Sequence, residues 1–229
     1  MSSMLIIALD FPTAKQALEF IEPLSPNDCI LKVGLQLYVA SGPEFVKTLV
    51  AAGYKVFLDL KFHDIPNTVA GACQSAADLG VWMINVHASG GPVMLDAAAN
   101  ALSTYDKPPL LIAVTVLTSM NQIQLEATGV SGEPEHQVKR LAALTANHGL
   151  SGVVCSAQEA EMLRAEHKDE FLLITPGIRP TGSDQGDQQR IMTPEAAKAV
   201  GVNYIVVGRP ITQAKQPLSV IQSINLSLK

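Results

Sequence analysis

Cysteine is scarce in this sequence, and long apolar runs are absent from it. The three cysteines among 229 residues, Cys29, Cys73 and Cys155, lie far apart and form no CxxC pair. That pattern argues against a disulfide framework, a zinc site or a redox pair, and it fits a reducing cytoplasm. No run reaches the roughly 18 apolar residues that a membrane helix needs. The short apolar run near the start lacks the basic segment of a signal peptide.

Positive charge is also in short supply. The 16 lysines and arginines are outnumbered by 21 acidic residues, which gives a net charge of −5. A surface that neutralises nucleic-acid phosphates needs an excess of positive charge, so no nucleic-acid partner is expected. The 48 % hydrophobic content is sufficient for a folded core. No linker rich in proline, serine or charge divides the chain, so residues 1–229 are expected to form a single domain.

Eight short runs rich in valine, isoleucine and leucine alternate with segments of helical periodicity. Because the runs are continuous rather than alternating, they are typical of parallel strands covered on both faces. The predicted strands span residues 5–9, 29–33, 55–60, 81–87, 110–116, 152–155, 171–175 and 202–207. The predicted helices span residues 14–21, 43–52, 67–79, 93–102, 135–148, 157–166, 194–200 and 218–226. Eight strand–helix units predict a (β/α)8 TIM barrel, with an open doubly wound sheet as the alternative.

Polar residues recur where the predicted strands end. In a barrel these ends carry the loops that form the catalytic face. The residues are Asp10, Lys32, Asp59, Lys61, His87, Thr115, Thr118, Ser156, Arg179, Gly208 and Arg209. One charge at such a position is ordinary, but its repetition around the barrel predicts a functional site there.

The segment from Asp59 to Thr68 reads DLKFHDIPNT. Side chains two positions apart on a strand share a face, so Asp59 and Lys61 are predicted to project together into the barrel. Lys32 on the neighbouring strand can reach the same point, and Asp64 lies just beyond, in the loop. Carboxylates keep a lysine protonated, and a cationic lysine can stabilise and then protonate a carbanion. The alternative interpretation is a buried ion-pair network without catalytic function.

Two arginine–proline turns follow strands seven and eight. Residues 176–180 read PGIRP, and residues 208–210 read GRP, with Pro210 placed to begin a short helix. Barrels often bind phosphate with the loops at these two strand ends, and arginine is a permanent bidentate cation. The turns therefore predict a phosphate site at Arg179 and Arg209, with an ordinary solvated loop as the alternative.

A metal site is not expected from the histidines. They form no HxH or HxxxH pair, at His63, His87, His136, His148 and His167. The carboxylates of Asp59 and Asp64 are nevertheless of the type that binds magnesium.

The segment 59–68 closely resembles the signature of the orotidine 5′-monophosphate decarboxylases of bacteria. The resemblance covers the whole chain, through ALD at 8–10, LKVG at 31–34, NVHA at 85–88, TVLTS at 115–119, TPGIR at 175–179 and VGRP at 207–210. It implies a cytoplasmic homodimeric (β/α)8 barrel that converts orotidine 5′-monophosphate to uridine 5′-monophosphate and CO2. This is the last step of pyrimidine nucleotide synthesis, and the resemblance implies that it uses no cofactor and no metal.

The resemblance also implies roles for individual residues. Lys61 would donate the proton to C6 of the pyrimidine, Asp59 would face the departing carboxylate, and Lys32 would contact the ribose and hold Asp59. Asp64 and Thr68 would reach the active site of the partner subunit. The remaining substrate contacts would come from Asp10 to the ribose, Thr118 to the base, and Arg179, Gln188, Gly208 and Arg209 to the phosphate.

Three alternatives to this function stay open at this point. A keto-gulonate-phosphate decarboxylase shares the Asp-x-Lys-x-x-Asp pattern but uses magnesium, and the continuation HDIPNT at 63–68 argues against it. A sugar-phosphate isomerase would need a positioned base rather than a cationic lysine. A non-catalytic nucleotide-binding barrel would not need the paired charges.

Overall fold

Eight parallel strands, within the residues 4–180 and 192–228 that the computed structural model describes, pair in chain order and close into a barrel. The strands are β1 (Leu5–Ala8), β2 (Ile30–Gly34), β3 (Val56–Phe62), β4 (Met83–His87), β5 (Leu110–Val114), β6 (Gly152–Val154), β7 (Leu172–Thr175) and β8 (Tyr204–Val207). The closing pair is β1 with β8, where Ile6 lies opposite Val206. The predicted TIM barrel is thus confirmed, and the open sheet is excluded.

Helices follow the strands around the outside of the barrel. They are α1 (Ala14–Ile21), α2 (Leu35–Ala51), α3 (Pro66–Ala77), α4 (Pro92–Leu102), α5 (Gln122–Glu126), α6 (Pro134–Asn147), α7 (Ala157–Glu166), α8 (Pro194–Ala199), α9 (Arg209–Thr212) and α10 (Pro217–Ser227). Proline stands in the first turn of α3, α4, α6, α8, α9 and α10, where its missing N–H costs no helical hydrogen bond. Across the described ranges, no helix is long and apolar enough to cross a membrane.

Two helical segments escaped the sequence analysis. Helix α2 begins at Leu35, and Gly42 interrupts it with a φ of 69° before Pro43 opens the second half. The Gly-Pro pair reads as a helix start, so only the second half was predicted. Helix α5 has 5 residues, which is too short for a periodic apolar pattern to emerge.

Alternate residues along the strands enter two different cores. On β1, Leu5 and Ile7 pack with residues of the surrounding helices, whereas Ile6 and Ala8 join a separate cluster inside the barrel. This inner cluster comprises Ile6, Ala8, Ile30, Phe57, Met83, Ile112, Ile174 and Val206. The side-chain period of two along each strand produces this division, and it leaves the barrel lumen filled with side chains rather than open.

At the amino-terminal end of the barrel, one arginine donates hydrogen bonds to several neutral acceptors. Arg164 on α7 donates to the carbonyls of Phe171 (3.1 Å) and Gly201 (3.0 Å) and to Oδ1 of Asn203 (2.7 Å). The same Oδ1 accepts the backbone N–H of Leu173 on β7 at 2.8 Å. One side chain thereby joins the end of α7 to the starts of β7 and β8.

Candidate active site at the carboxyl ends of the strands

A cavity of about 520 Å³ opens at the carboxyl-terminal end of the barrel. That volume lies within the range of pockets for small ligands. Predicted site residues line it, namely Asp10, Lys32, Asp59, Lys61, Thr118, Arg179, Gly208 and Arg209. The predicted Asp64 and Thr68 do not line the cavity, and Gln188 lies outside the described residues. The fold thus collects in one place groups that come from the ends of six strands, β1, β2, β3, β5, β7 and β8.

A row of charges forms one wall of this cavity. Lys61 Nζ lies 2.6 Å from Asp59 Oδ1, and Lys32 Nζ lies 3.2 Å from Asp59 Oδ2. Lys32 Nζ is also 3.6 Å from Oδ1 of the exposed Asp10. Asp59 and Lys32 are each only 9 % exposed. Two cations therefore share one buried carboxylate at the edge of an open cavity.

Asp59 is held in its ionised form. Burial on its own would raise the pKa of this carboxyl group. The charges of Lys32 and Lys61, with hydrogen bonds from Lys61 and Asn85, outweigh burial, so the pKa of Asp59 lies below its usual value. The carboxylate therefore stays negative at neutral pH.

Lys61 has an unusual backbone conformation. Its φ is 53°, and it is the only residue other than glycine with a positive φ within 4–180 and 192–228. For a residue with a Cβ atom, this left-handed conformation costs about 1–2 kcal/mol. The pairing of β3 with β4 changes register between Leu58 and Phe62, so the strand bulges at this point. The sequence analysis predicted that Asp59 and Lys61 would meet, and they do, but on a bulged rather than a regular strand.

Asn85 on β4 contacts both ends of this bulge. Its Oδ1 accepts the backbone N–H of Lys61 at 2.8 Å, and its Nδ2 donates to Asp59 Oδ1 at 2.7 Å. The side chain is fully buried. Sequence reasoning assigned it no role, although a lone amide within the apolar strand Met83–His87 was a visible signal.

Two histidines lie beside the lysine. The rings of His63 and His87 are tilted, with their centroids 5.4 Å apart. Burial lowers the pKa of His87, and its electrostatic interactions with His63 and Lys61 lower it further, against a smaller opposing effect of the Asp59 carboxylate. His87 is therefore neutral at pH 7 and adds no second cation next to Lys61.

The cavity wall on the β7 and β8 side carries the two predicted arginines. Arg179 is 7 % exposed, and its backbone N–H donates to the carbonyl of Met192 at 2.9 Å. Arg209 begins the short helix α9 directly after Gly208, one residue before the start predicted at Pro210. Gln213, just past α9, also lines the cavity. It was missed because nothing in the sequence shows which side of α9 faces the barrel.

Asp64 and Thr68 lie on an outer surface next to the cavity. The Asp64 carboxylate accepts the backbone N–H of Ile65 at 2.7 Å and makes no ion pair with any residue of the described ranges. Exposed apolar side chains also stand at or near the starts of α2, α3 and α4, the helices that follow the neighbouring strands β2, β3 and β4. We call them the apolar rim: Leu35, Val39, Ile65 and Val93, which are 55 %, 82 %, 68 % and 68 % exposed.

Comparisons with known proteins agree on one family. Residues 3–224 match the family model described as orotidine 5′-phosphate decarboxylase / HUMPS family. A protein of Pseudoalteromonas atlantica named orotidine 5′-phosphate decarboxylase is 59 % identical over 225 residues, 97 % of each chain. One of the same name from Aliivibrio fischeri is 57 % identical over 224 residues, covering 97 % of this chain and 96 % of the other.

Solved structures agree with these sequence relatives. The crystal structure of orotidine 5′-phosphate decarboxylase from Lactobacillus acidophilus superimposes with a TM-score of 0.89 at 36 % identity, covering 100 % of both chains. An uncharacterized conserved protein from Geobacillus kaustophilus gives 0.87 at 37 % identity, covering 98 % of this chain and 100 % of the other.

Proposed function

The chain belongs to the orotidine 5′-phosphate decarboxylase / HUMPS family, and we propose that it converts orotidine 5′-monophosphate to uridine 5′-monophosphate and CO2. The observation that carries this proposal is the array of Lys32, Asp59 and Lys61 on the wall of the cavity. An ionised carboxylate between two ammonium groups suits a reaction in which negative charge leaves the carboxylate of the substrate and appears on the carbon atom to which it was bound. The reaction would complete the synthesis of the pyrimidine nucleotide.

In this mechanism Asp59 and Lys61 act on the same bond of the substrate. The substrate carboxylate lies toward Asp59, and the like charges disfavour the bound ground state once water is excluded. The bond from C6 to the carboxylate breaks, CO2 leaves, and the electron pair stays on C6. Lys61 stabilises that carbanion electrostatically and transfers a proton from Nζ to C6. Solvent then returns the proton to Lys61, and Asp59 is unchanged.

The far side of the cavity would hold the 5′-phosphate. Arg179 and Arg209 are placed on the β7 and β8 side, away from the charge array on β2 and β3. Binding energy from a non-reacting phosphate can support the strained contact at the reacting carbon. Asp10 and Lys32 would contact the ribose, and Thr118 would lie beside the base. Gly208 and Gln188 complete the proposed phosphate contacts.

We further propose that two copies of the chain form a cytoplasmic dimer across the apolar rim. The rim exposes large apolar side chains beside a carboxylate, Asp64, that has no ionic partner within the described chain. A two-fold interface there would cover the rim and bring Asp64 and Thr68 to the cavity of the partner. The buried, free thiols of Cys29, Cys73 and Cys155 suit the reducing cytoplasm.

One assay tests the reaction and its independence of metal. The purified chain is mixed with orotidine 5′-monophosphate, and the absorbance change on decarboxylation is followed with and without an excess of EDTA. We expect turnover at the same rate in both samples, because Lys61 and Asp59 supply the chemistry without a cofactor. Activity that disappears with EDTA and returns with magnesium would favour the keto-gulonate-phosphate type of decarboxylase, and no turnover at all would overturn the proposal.

A further inference from the structure

We infer that Asn85 is a positioning residue for the proposed decarboxylation, because its amide holds the bulge of β3 that places the Lys61 ammonium on Asp59. The inference rests on the proposed function and adds to it a residue that does not line the cavity. Asn85 acts on the reaction through Lys61 and Asp59 and does not touch the substrate.

The strand register shows that the side chain of Asn85 replaces a backbone hydrogen-bond partner. Leu58 pairs with Ile84, and Phe62 pairs with Val86, so residues 59–61 of β3 lie opposite the single residue Asn85 of β4. A regular ladder cannot supply backbone partners to this longer segment. The side-chain Oδ1 of Asn85 accepts the N–H of Lys61 at 2.8 Å in place of a backbone carbonyl.

The orientation of the amide is fixed by its two partners. Its Nδ2 donates to Asp59 Oδ1 at 2.7 Å, while its Oδ1 faces the N–H donor of Lys61. A flipped amide would set an NH2 group against that N–H and an oxygen against a carboxylate. The site therefore requires one donor and one acceptor on a short planar group, which is what asparagine provides.

Loss of this amide leaves the bulge without its support. A left-handed residue with a side chain persists only when its surroundings hold it there. Without Asn85, the N–H of Lys61 loses its acceptor, and β3 can relax toward a regular strand that carries the ammonium away from Asp59. The proposed phosphate contacts, on the β7 and β8 side, are untouched, so the expected defect lies in turnover and not in nucleotide binding.

The test compares the same substitution at two asparagines whose side chains each hydrogen-bond two partners, the buried Asn85 and the partly buried Asn203. Asn85→Leu removes both hydrogen bonds at the carboxyl-terminal end, and Asn203→Leu removes the acceptor for Arg164 and Leu173 at the other end. We expect kcat of Asn85→Leu to fall about 100-fold, the scale of a misplaced reacting group, with the Kd for uridine 5′-monophosphate changed by less than about threefold. Asn203→Leu should lower Tm and leave the kcat of the folded protein unchanged.

A purely structural role would give a different result. In that case Asn85→Leu and Asn203→Leu would both lower Tm and both keep wild-type kcat, which would overturn the inference. An inactive wild-type chain would instead overturn the proposed function itself. The two failures are therefore distinguishable in one set of measurements.

A second variant covers the case in which Asn85→Leu does not fold. Asn85→Asp keeps the shape of the side chain, and its neutral carboxyl group can accept from Lys61 and donate to Asp59. When ionised, this carboxyl group loses the donor and places a second negative charge next to Asp59. The charged neighbours of Asp59 are Lys32 on β2, Lys61 on β3 and, when it is protonated, His87 on β4.

Burial at this position and the neighbouring charge of Asp59 raise the pKa of the introduced carboxyl group above its usual value of about 3.9. The ratio of variant to wild-type kcat is therefore expected to fall as pH rises from about 5 to about 8 and this group ionises. A ratio that stays flat over this range would contradict the positioning role. The control is Asn203→Asp, whose ratio should not change with pH, because that side chain lies at the amino-terminal end of the barrel.

Discussion

The cations at the two ends of the barrel have opposite kinds of partner. At the carboxyl-terminal end, Lys32 and Lys61 share the single buried carboxylate of Asp59 beside an open cavity. At the amino-terminal end, Arg164 is surrounded by backbone carbonyls and the amide oxygen of Asn203. Its ion-pair partner Asp169 is 97 % exposed and 3.9 Å away.

This difference separates binding chemistry from stability. Neutral acceptors around the Arg164 guanidinium connect segments that are distant in sequence, which stabilises the fold without preparing a site for any ligand. Two ammonium groups on one carboxylate, at a cavity wall, are placed where they can act on a bound ligand. Buried ion pairs of this kind are weak contributors to stability. In TIM barrels catalysis resides at the carboxyl-terminal face, and the opposite face serves stability.

The largest expected difference between the two ends of the barrel comes from removing one lysine at each end. Lys61→Ala should lower kcat by about 10⁴-fold, because it removes the proposed proton donor and the cation beside C6. Binding of uridine 5′-monophosphate, measured by calorimetry, should persist. The control is Lys55→Ala, at the other end, where the ammonium lies 5.5 Å from the centroid of the Trp82 ring. Lys61→Ala with kcat within tenfold of the wild type would contradict the role of the lysine.

Mixing two inactive variants tests whether the carboxyl-terminal end is completed by a second chain. Lys61→Ala and Asp64→Asn homodimers should each be nearly inactive. In a two-fold dimer with shared sites, each heterodimer has one intact site and one doubly defective site. Random subunit exchange should restore about a quarter of wild-type activity by this symmetry count. No recovery, with exchange verified by mass spectrometry, would return Asp64 to a role within its own chain.

The sequence predicted the carboxyl-terminal end far better than the amino-terminal end. Asp59 and Lys61 are two positions apart on a strand, so a local pattern was enough to bring their side chains together. The bulge that orients them depends on Asn85, 26 residues away from Asp59, and no local pattern reports that contact. Arg164 lies in a correctly predicted helix, but its acceptor Asn203 is 39 residues away. Local periodicity therefore predicted elements and strand ends, whereas the tertiary hydrogen bonds needed the fold.

Arg164→Ala should give the largest loss of stability at the amino-terminal end. It leaves the carbonyls of Phe171 and Gly201 and the amide of Asn203 without their donor, so the free energy of unfolding should fall by about 3 kcal/mol. Urea denaturation measures this, and kcat of the folded protein should stay at the wild-type value. The exposed Arg140 offers the matched control, since Arg140→Ala should change stability by no more than about 0.5 kcal/mol. Equal effects of the two substitutions would show that the Arg164 cluster does not stabilise this end.

Arg209→Ala should affect ligand binding alone. If Arg209 contacts the phosphate, its loss should weaken binding of uridine 5′-monophosphate by about 1.5–3 kcal/mol, the scale of a hydrogen bond to a charged group. Binding of uridine, which has no phosphate, should hardly change. Calorimetry with both ligands measures the two affinities, and an equal loss for nucleotide and nucleoside would make Arg209 a structural residue.

The smallest expected effect is a pH dependence that should be larger at the carboxyl-terminal end. The folded-state pKa of Asp59 is lowered by Lys32 and Lys61, so ionised Asp59 stabilises the fold. This contribution is complete above the unfolded pKa of an aspartate, about 3.9, and is lost as pH falls through the lower folded pKa. The difference in unfolding free energy between wild type and Asp59→Asn should therefore shrink as urea titrations move from pH 7 toward acid. Arginine stays protonated over this range, and the carbonyl and amide acceptors of Arg164 are neutral. The difference for Arg164→Ala should therefore change less, since over this range its charge acts mainly on the pKa of His167 and on the exposed Asp169. A constant difference for Asp59→Asn as well would mean that the charges at the carboxyl-terminal end do not contribute to folding stability.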